Sequence, residues 1–191
     1  MTGLALQLDV ARREAGDNQP VAVRFSQSAE QARNLAERMR EVVWTINPRC
    51  DTLSGLATFL EQQVVQFSHA DGLKLKLDFP EDIPAIPLGA QARHQLALSV
   101  REAFTNVVRH ARASEVVLRL AISHQELLME LTDNGCGFQP LETPGHGLSN
   151  MRTRMEQVGG EFDCVSKPGH GTAIRFRLPL SPGSPGVQNS P

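Results

Sequence analysis

Leu127-Leu128-Met129-Glu130-Leu131-Thr132 runs straight into Asp133-Asn134-Gly135-Cys136-Gly137-Phe138. An apolar strand thus ends on a carboxylate. Two glycines follow, where the backbone must turn sharply or approach a ligand closely. On its own such a segment is also compatible with a simple turn. Working outward, Gly145-His146-Gly147 comes immediately before a helix and Gly169-His170-Gly171-Thr172 immediately before the last strand. Glycines ahead of a helix N-terminus leave backbone N–H groups free to hold phosphate, and the helix dipole adds a favourable field.

Upstream, the spacing predicts a long helix from about Gly89 to Ala111, with Leu96, Val100, Ala103, Val107 and Ala111 as its core stripe. Glu102, Asn106 and His110 recur every four residues on another face, a pattern that a solvated helix surface also shows. Thr52 is positioned to cap a helix running to about Ser68, with Leu53, Leu56, Phe59, Leu60, Val64 and Phe67 as its apolar face. Leu73-Lys74-Leu75-Lys76-Leu77 alternates strictly and reads as a half-buried strand. Further strands are expected near Val116–Ile122, Leu127–Thr132, Glu161–Ser166 and Thr172–Leu178, with a loop over Asp133–Gly147 and a helix over Leu148–Val158. Helices and strands segregate, so the fold class is α+β, a two-layer α/β sandwich rather than a βαβ crossover pattern.

At the N-terminus, Met1, Leu4, Leu8, Ala11 and Ala15 alternate steps of three and four; a second run, Phe25, Ala32, Leu35, Met39, Val42 and Ile46, keeps heptad spacing. The polar break Gly16–Pro20 makes them a helical hairpin whose narrow apolar stripe two copies would bury as a four-helix bundle, so a homodimer is expected; packing of the hairpin on its own domain is the alternative. The expected divisions are 1–47, a partial dimerisation hairpin; 48–180, the α/β domain; and 181–191, a Pro- and Gly-rich tail too polar to order itself. A net charge of -2 over 191 residues, with Lys and Arg scattered, gives no footprint for direct nucleic-acid binding. No apolar stretch is long enough for a membrane span and no signal-peptide pattern is present, so the expectation is a cytoplasmic chain whose parent protein can be membrane-anchored. Cys50, Cys136 and Cys164 lack CxxC spacing and read as free thiols.

The order of four segments carries a resemblance: EAFTNVVRH (102–110), DNGCGF (133–138), GHGLSNMRTRM (145–155) and GHGT (169–172) resemble the nucleotide-binding boxes of bacterial sensor histidine kinases. That ATP-binding fold is shared with type II topoisomerases, a heat-shock chaperone and a mismatch-repair protein. EAFTNVVRHARAS and GLSNMRTRMEQVGGEF are similar to the subfamily that partners response regulators with helix-turn-helix output domains, and the likeness extends upstream through MREVVWTINPRCDTLSGL. The resemblance implies ATP and Mg²⁺ as cofactors. It assigns Asn106 to the metal and Glu102 to a metal-bound water, Arg109 and His110 to phosphate charge, and Asp133 to the adenine exocyclic amine. Thr172 would support that contact, Gly135, Gly137 and Gly171 would belong to the glycine motifs around the base, and Gly145, Gly147 and Leu148 would form the phosphate-side end of a short lid. Cys136 reads either as a redox-sensitive lid thiol or, the favoured reading, as an incidental residue.

The resemblance fails at one point. Members of the family phosphorylate a histidine in the first bundle helix, whereas MTGLALQLDVARRE resembles the segment just C-terminal to that box. His69 reads as a helix-end surface residue, His94 as a capping or packing residue, His124 as a turn residue, and His146 and His170 as loop residues. Three readings are open: the catalytic portion of a longer histidine kinase, truncated just after the phosphoacceptor box and unable to phosphorylate itself; a non-catalytic ATP-binding module that heterodimerises with kinases; or a serine kinase or ATPase of the same fold.

Overall fold

The computed structural model describes residues 28, 31, 32, 39, 44, 47, 50–65, 73–123, 126–139 and 146–180. The hairpin as a unit, the segment that holds His69, His124, Gly145 and the tail from Ser181 lie outside the described residues. The chain divides into two compact units, Met1–Asn47 and Pro48–Pro191, and the second holds the sheet.

Its elements run in the order α1 (Leu53–Val65), β1 (Lys74–Asp78), α2 (Ala90–Asn106), β2 (Glu115–Ser123), β3 (Glu126–Asp133), α3 (His146–Glu156), β4 (Glu161–Ser166) and β5 (Thr172–Pro179). The strands form one sheet in the order β1-β2-β3-β5-β4. Three of its four pairings are antiparallel. β1 and β2 differ: they run parallel and are joined through α2, so one crossover unit opens a sheet expected to have none. The reason is geometric, since a helix of this length between two adjacent strands returns the chain to the end it started from.

Helix α1 begins where the sequence predicts, because the Thr52 hydroxyl accepts the Gly55 N–H at 3.1 Å and satisfies a donor that the helix itself leaves open. The segment before it is tied to the approach to α2 by Leu53 N–H to Ile86 C=O and Leu88 N–H to Asp51 C=O, each 2.9 Å. Helix α2 packs on α1 and α3, while α3 also covers β4 and β5. The expected stripe of α2 is buried throughout: Leu96, Val100, Ala103, Val107 and Ala111. It faces the inward rows Val116, Leu118 and Leu120 of β2, Leu127, Met129 and Leu131 of β3, and Ile174, Phe176 and Leu178 of β5. Each large side chain so buried contributes about 1.5–3 kcal/mol of transfer free energy, and together they fix which sheet face the helices cover.

The other sheet face meets solvent and carries cross-strand ion pairs. Lys76 meets Glu115 at 2.9 Å, Arg119 meets Asp78 at 2.6 Å, Arg175 meets Glu130 at 3.3 Å and Arg177 meets Glu161 at 3.3 Å. Exposed pairs of this kind contribute roughly 0–1 kcal/mol each, so they mark polarity more than stability.

Candidate functional site

Strand β3 sets the site. Leu127, Met129 and Leu131 point to the helices, and period two puts Asp133 at the next inward position, where it is 5 % exposed. A carboxylate has taken the end of an apolar row. Its Oδ1 accepts the Gly135 N–H at 2.8 Å, and the Thr172 N–H and hydroxyl nearby also favour its charged form. Burial nevertheless outweighs these influences and holds the Asp133 carboxyl above its ordinary value of 3.8.

The neighbouring Asn134 has a different task. Its side-chain oxygen accepts the N–H groups of Ser114 and Glu115 at 2.9 Å each, and its amide donates to the Ser114 hydroxyl. This locks the end of β3 to the start of β2. The chain then docks on the end of α2, whose last turn widens to a π-helical turn over Val107–Ala111 and stops at Arg112, left-handed at φ 52°. Helix ends leave carbonyls unpaired. Here the Ala111 carbonyl accepts the Cys136 N–H at 2.7 Å, and the Cys136 thiol lies 3.4 Å from the His110 carbonyl. Gly135 lies so close to Ala111 that a Cβ would strike its carbonyl.

From the other side, the turn between β4 and β5 closes on the same loop. Gly169 N–H donates to the Cys136 carbonyl at 2.7 Å, and Phe138 N–H donates to the Ser166 hydroxyl at 2.9 Å. Gly137, at φ 58°, and Gly171, at φ 73°, both adopt left-handed backbone and lie where a side chain would meet the Lys167 and Asp133 carbonyls respectively. The glycines therefore serve loop packing as well as access.

Between these elements opens a cleft of about 390 Å³, lined by residues that include Ala103, Asn106, Val107, His110, Asp133, Leu148 and Thr172. Its size falls within the roughly 300–1,000 Å³ of small-molecule sites. Of the predicted residues, Asn106, His110, Asp133, Gly137, Gly147, Leu148 and Thr172 line it. Glu102 stands just behind, its Oε1 2.9 Å from where a Cβ on Gly147 would lie, with the Asn106 amide nitrogen 3.5 Å from the same point. Gly135 and Gly171 are buried in the surrounding packing, Arg109 is exposed and does not line the cleft, and Gly145 lies outside the described residues.

Two expectations need correction. The helix after the loop begins at His146, not Leu148, so Gly147 sits in its first turn and His146 is a helical residue on the cleft wall. Glycine is a poor helix former, which hides the start, but the first turn needs few intrahelical bonds. The sequence motifs also leave out Ser166, which joins Phe138, Gly171 and Thr172. Strand alternation from Phe162 and Cys164 would have marked it as inward-facing.

Among the described residues no group of three His, Cys, Asp or Glu side chains converges as a metal site, and no helix is long and apolar enough to cross a membrane. A Mg²⁺ ion at Asn106 would therefore take most of its ligands from phosphate and water, which is how this ion is usually bound. The residues present fit such a group. The cleft combines apolar walls with a buried carboxylate, Asp133, and an amide, Asn106, that has the Glu102 carboxylate nearby.

Residues 91–182 match the family model described as histidine kinase-, DNA gyrase B-, and HSP90-like ATPase. The chain is 32% identical to sensor histidine kinase LiaS of Bacillus subtilis over 57% of its length and 31% of that protein. It is 31% identical to the nitrate/nitrite sensor protein NarQ of Escherichia coli over 91% of its length and 31% of that protein. The chain thus spans about a third of the length of these relatives. Among solved structures, the histidine kinase domain of a blue-light activated histidine kinase from Erythrobacter litoralis shares the fold, with a TM-score of 0.61 at 19% identity over 94% of this chain and 93% of that one.

Proposed function

We propose that the chain, whose residues 91–182 match the histidine kinase-, DNA gyrase B- and HSP90-like ATPase family and which is similar to bacterial sensor histidine kinases, is the catalytic portion of a two-component kinase. In this reading Mg²⁺-ATP supplies a phosphoryl group that passes to a histidine and onward to a response regulator with a helix-turn-helix output domain. The observation that carries it is the buried Asp133 carboxylate, which accepts the Gly135 N–H in the wall of a cleft that Asn106 also lines.

Each residue then has a definite task. Asp133 accepts from the exocyclic amine of adenine, a donor that the 6-oxo group of guanine cannot supply. Ala103, Val107 and Ile174 exclude water beside the base. The Asn106 side-chain oxygen would hold the cation, and Glu102, behind Gly147, would support a water bound to it. His110, on the cleft wall, offers a donor toward phosphate; Arg109, exposed one residue earlier, contributes only long-range charge. Such a site works by positioning and charge stabilisation more than by covalent chemistry. Residues 1–47 are assigned to homodimerisation and 48–180 to nucleotide binding. None of the six histidines precedes His69, so residues 1–68 offer no histidine as the acceptor.

Calorimetric titration with Mg²⁺-ATP, beside Asn106→Ala and Asp133→Ala, tests this. Saturable binding that is lost in Asp133→Ala and becomes Mg²⁺-insensitive in Asn106→Ala is expected. A folded wild type that binds no nucleotide at millimolar ATP would overturn the assignment.

A further inference from the structure

Asp133 and Asn134 are neighbours in the chain with opposite tasks. Asp133 lines the cleft, and its Oδ1 accepts the Gly135 N–H at 2.8 Å. Asn134 stands outside the cleft lining and reaches across to the start of β2. Its Oδ1 accepts the Ser114 and Glu115 N–H groups at 2.9 Å each, its amide donates to the Ser114 hydroxyl at 2.9 Å, and its own N–H donates to the Glu115 carbonyl at 3.2 Å. We propose that Asn134 is a positioning residue for base selection: by tying down the peptide between itself and Gly135, it aims the Gly135 N–H at one oxygen of Asp133 and leaves the other for the base. The proposal rests on the reading of Asp133 as the residue that recognises adenine.

The need for such a tether follows from what is soft at this loop. The terminal torsion of an aspartate side chain is broad, so the plane of its carboxylate is set by a fixed donor more than by its rotamer. That donor is the Gly135 N–H, carried by a residue whose backbone has the widest freedom of any. Glycine cannot hold the donor in place by itself, and restraint comes from its two neighbours. On one side the Cys136 N–H donates to the Ala111 carbonyl at 2.7 Å. On the other side stands the Asn134 side chain, whose bonds define what the position requires: two N–H groups converge on one oxygen with two lone pairs, and the nitrogen faces a hydroxyl. An acceptor that reaches both N–H groups is the essential part. These bonds are exposed to solvent, so water replaces them when the side chain is removed. The fold is expected to survive that loss, whereas the aim of the Gly135 donor is not.

The test compares the full chain with Asn134→Ala and Asn134→Asp, titrated with Mg²⁺-ATP and with the Mg²⁺ complex of purine riboside triphosphate, which lacks the 6-amino group. Asn134→Ala is expected to lower ATP affinity about tenfold, the size of one hydrogen bond to a charged group, while changing analogue affinity less than about twofold. Asn134→Asp keeps an acceptor for both N–H groups and restores the ATP preference, its added charge acting on both triphosphates alike. In an Asp133→Ala background Asn134→Ala has no further effect on that preference, because the carboxylate it positions is gone. Amide exchange on the wild type gives a second readout that needs no variant. Coupling is reciprocal, so base recognition tightens the tether in turn, and ATP should slow exchange at Ser114, Glu115 and Gly135 more than the analogue does. Equal losses for ATP and analogue in Asn134→Ala, an unchanged preference, or equal protection by the two ligands overturns the positioning role while leaving the adenine reading intact. A wild type that binds both triphosphates equally overturns the adenine reading and the inference with it.

Discussion

Gly147 lies directly against Glu102: a Cβ on Gly147 would come within 2.9 Å of the Glu102 carboxylate and 3.5 Å of the Asn106 amide nitrogen. The first turn of α3 and the C-terminal end of α2 approach closely because one of them has no side chain there. The atom in the way is the end of a flexible side chain, so Gly147→Ala would displace the Glu102 carboxylate rather than separate the helices. Alanine in the helix gains about 0.5–1 kcal/mol over glycine. Thermal melting should therefore be unchanged or slightly raised, while Mg²⁺ affinity in the presence of ATP falls about 10- to 100-fold, the usual effect of disturbing a ligand's support. A variant whose Mg²⁺ dependence matches wild type would remove Glu102 from the metal's surroundings.

How much of this architecture is legible in the sequence depends on the range of each signal. The α2 stripe and the Thr52 cap are encoded locally, by spacing and by one capping side chain, and stand in the structure as read, while the strands agree to within one residue at each end. Asp133 is legible twice, as the end of an apolar strand and as the next inward position of its alternation. The π-helical turn at Val107–Ala111 is not, because its end carbonyls are satisfied by Cys136, a residue 25 positions further on. Ser166 is hidden for a related reason. Its importance comes from register with Thr172, which only the pairing of β4 with β5 establishes.

Arg93 at the start of α2 is wholly buried and meets the Asp51 carboxylate at 2.7 Å, while the Asp51 side chain is 36 % exposed. Removing one partner of a fully buried pair costs about 3–5 kcal/mol, and an exposed pair is worth about 0–1. Asp51→Ala should accordingly destabilise the domain by roughly 2 kcal/mol in urea unfolding, between those limits. Adding Arg93→Met should recover part of the loss, because the buried charge goes with it. Neither residue lines the cleft, so ATP affinity of the folded variants should stay within about twofold of wild type.

Acid should affect Asp133 in two opposite ways. Its folded pKa lies above the ordinary 3.8 because burial disfavours the charged form. Between 3.8 and the raised value the folded state therefore binds more protons than the unfolded state, so this group's contribution to stability rises as pH falls through that window. Relative to Asp133→Asn, wild type should gain melting temperature on acidification. ATP affinity should fall over the same window, since a protonated carboxyl no longer accepts freely from the base. Parallel melting and calorimetric series from pH 7 toward pH 4 read both effects. A melting difference between the two proteins that does not vary with pH would refute the linkage.

Cys136 and Cys164 offer a final contrast. Cys164 is inward on β4, and burial, reinforced by the nearby Asp163 and Asp133 charges, pushes its thiol up to about 11 against the smaller opposing influence of Arg152. At pH 8 only about one such thiol in a thousand is ionised, and thiolate is the reactive form. Cys136 is exposed and lines the cleft. Iodoacetamide should thus label Cys136 at least about a hundredfold faster than Cys164 at pH 8, with Cys164 labelling climbing as pH approaches its own value. Saturating Mg²⁺-ATP should slow labelling at Cys136 and leave Cys164 as it was, which peptide mass spectrometry can follow in one reaction. If nucleotide leaves the Cys136 rate untouched while calorimetry reports binding, the nucleotide lies somewhere other than this cleft.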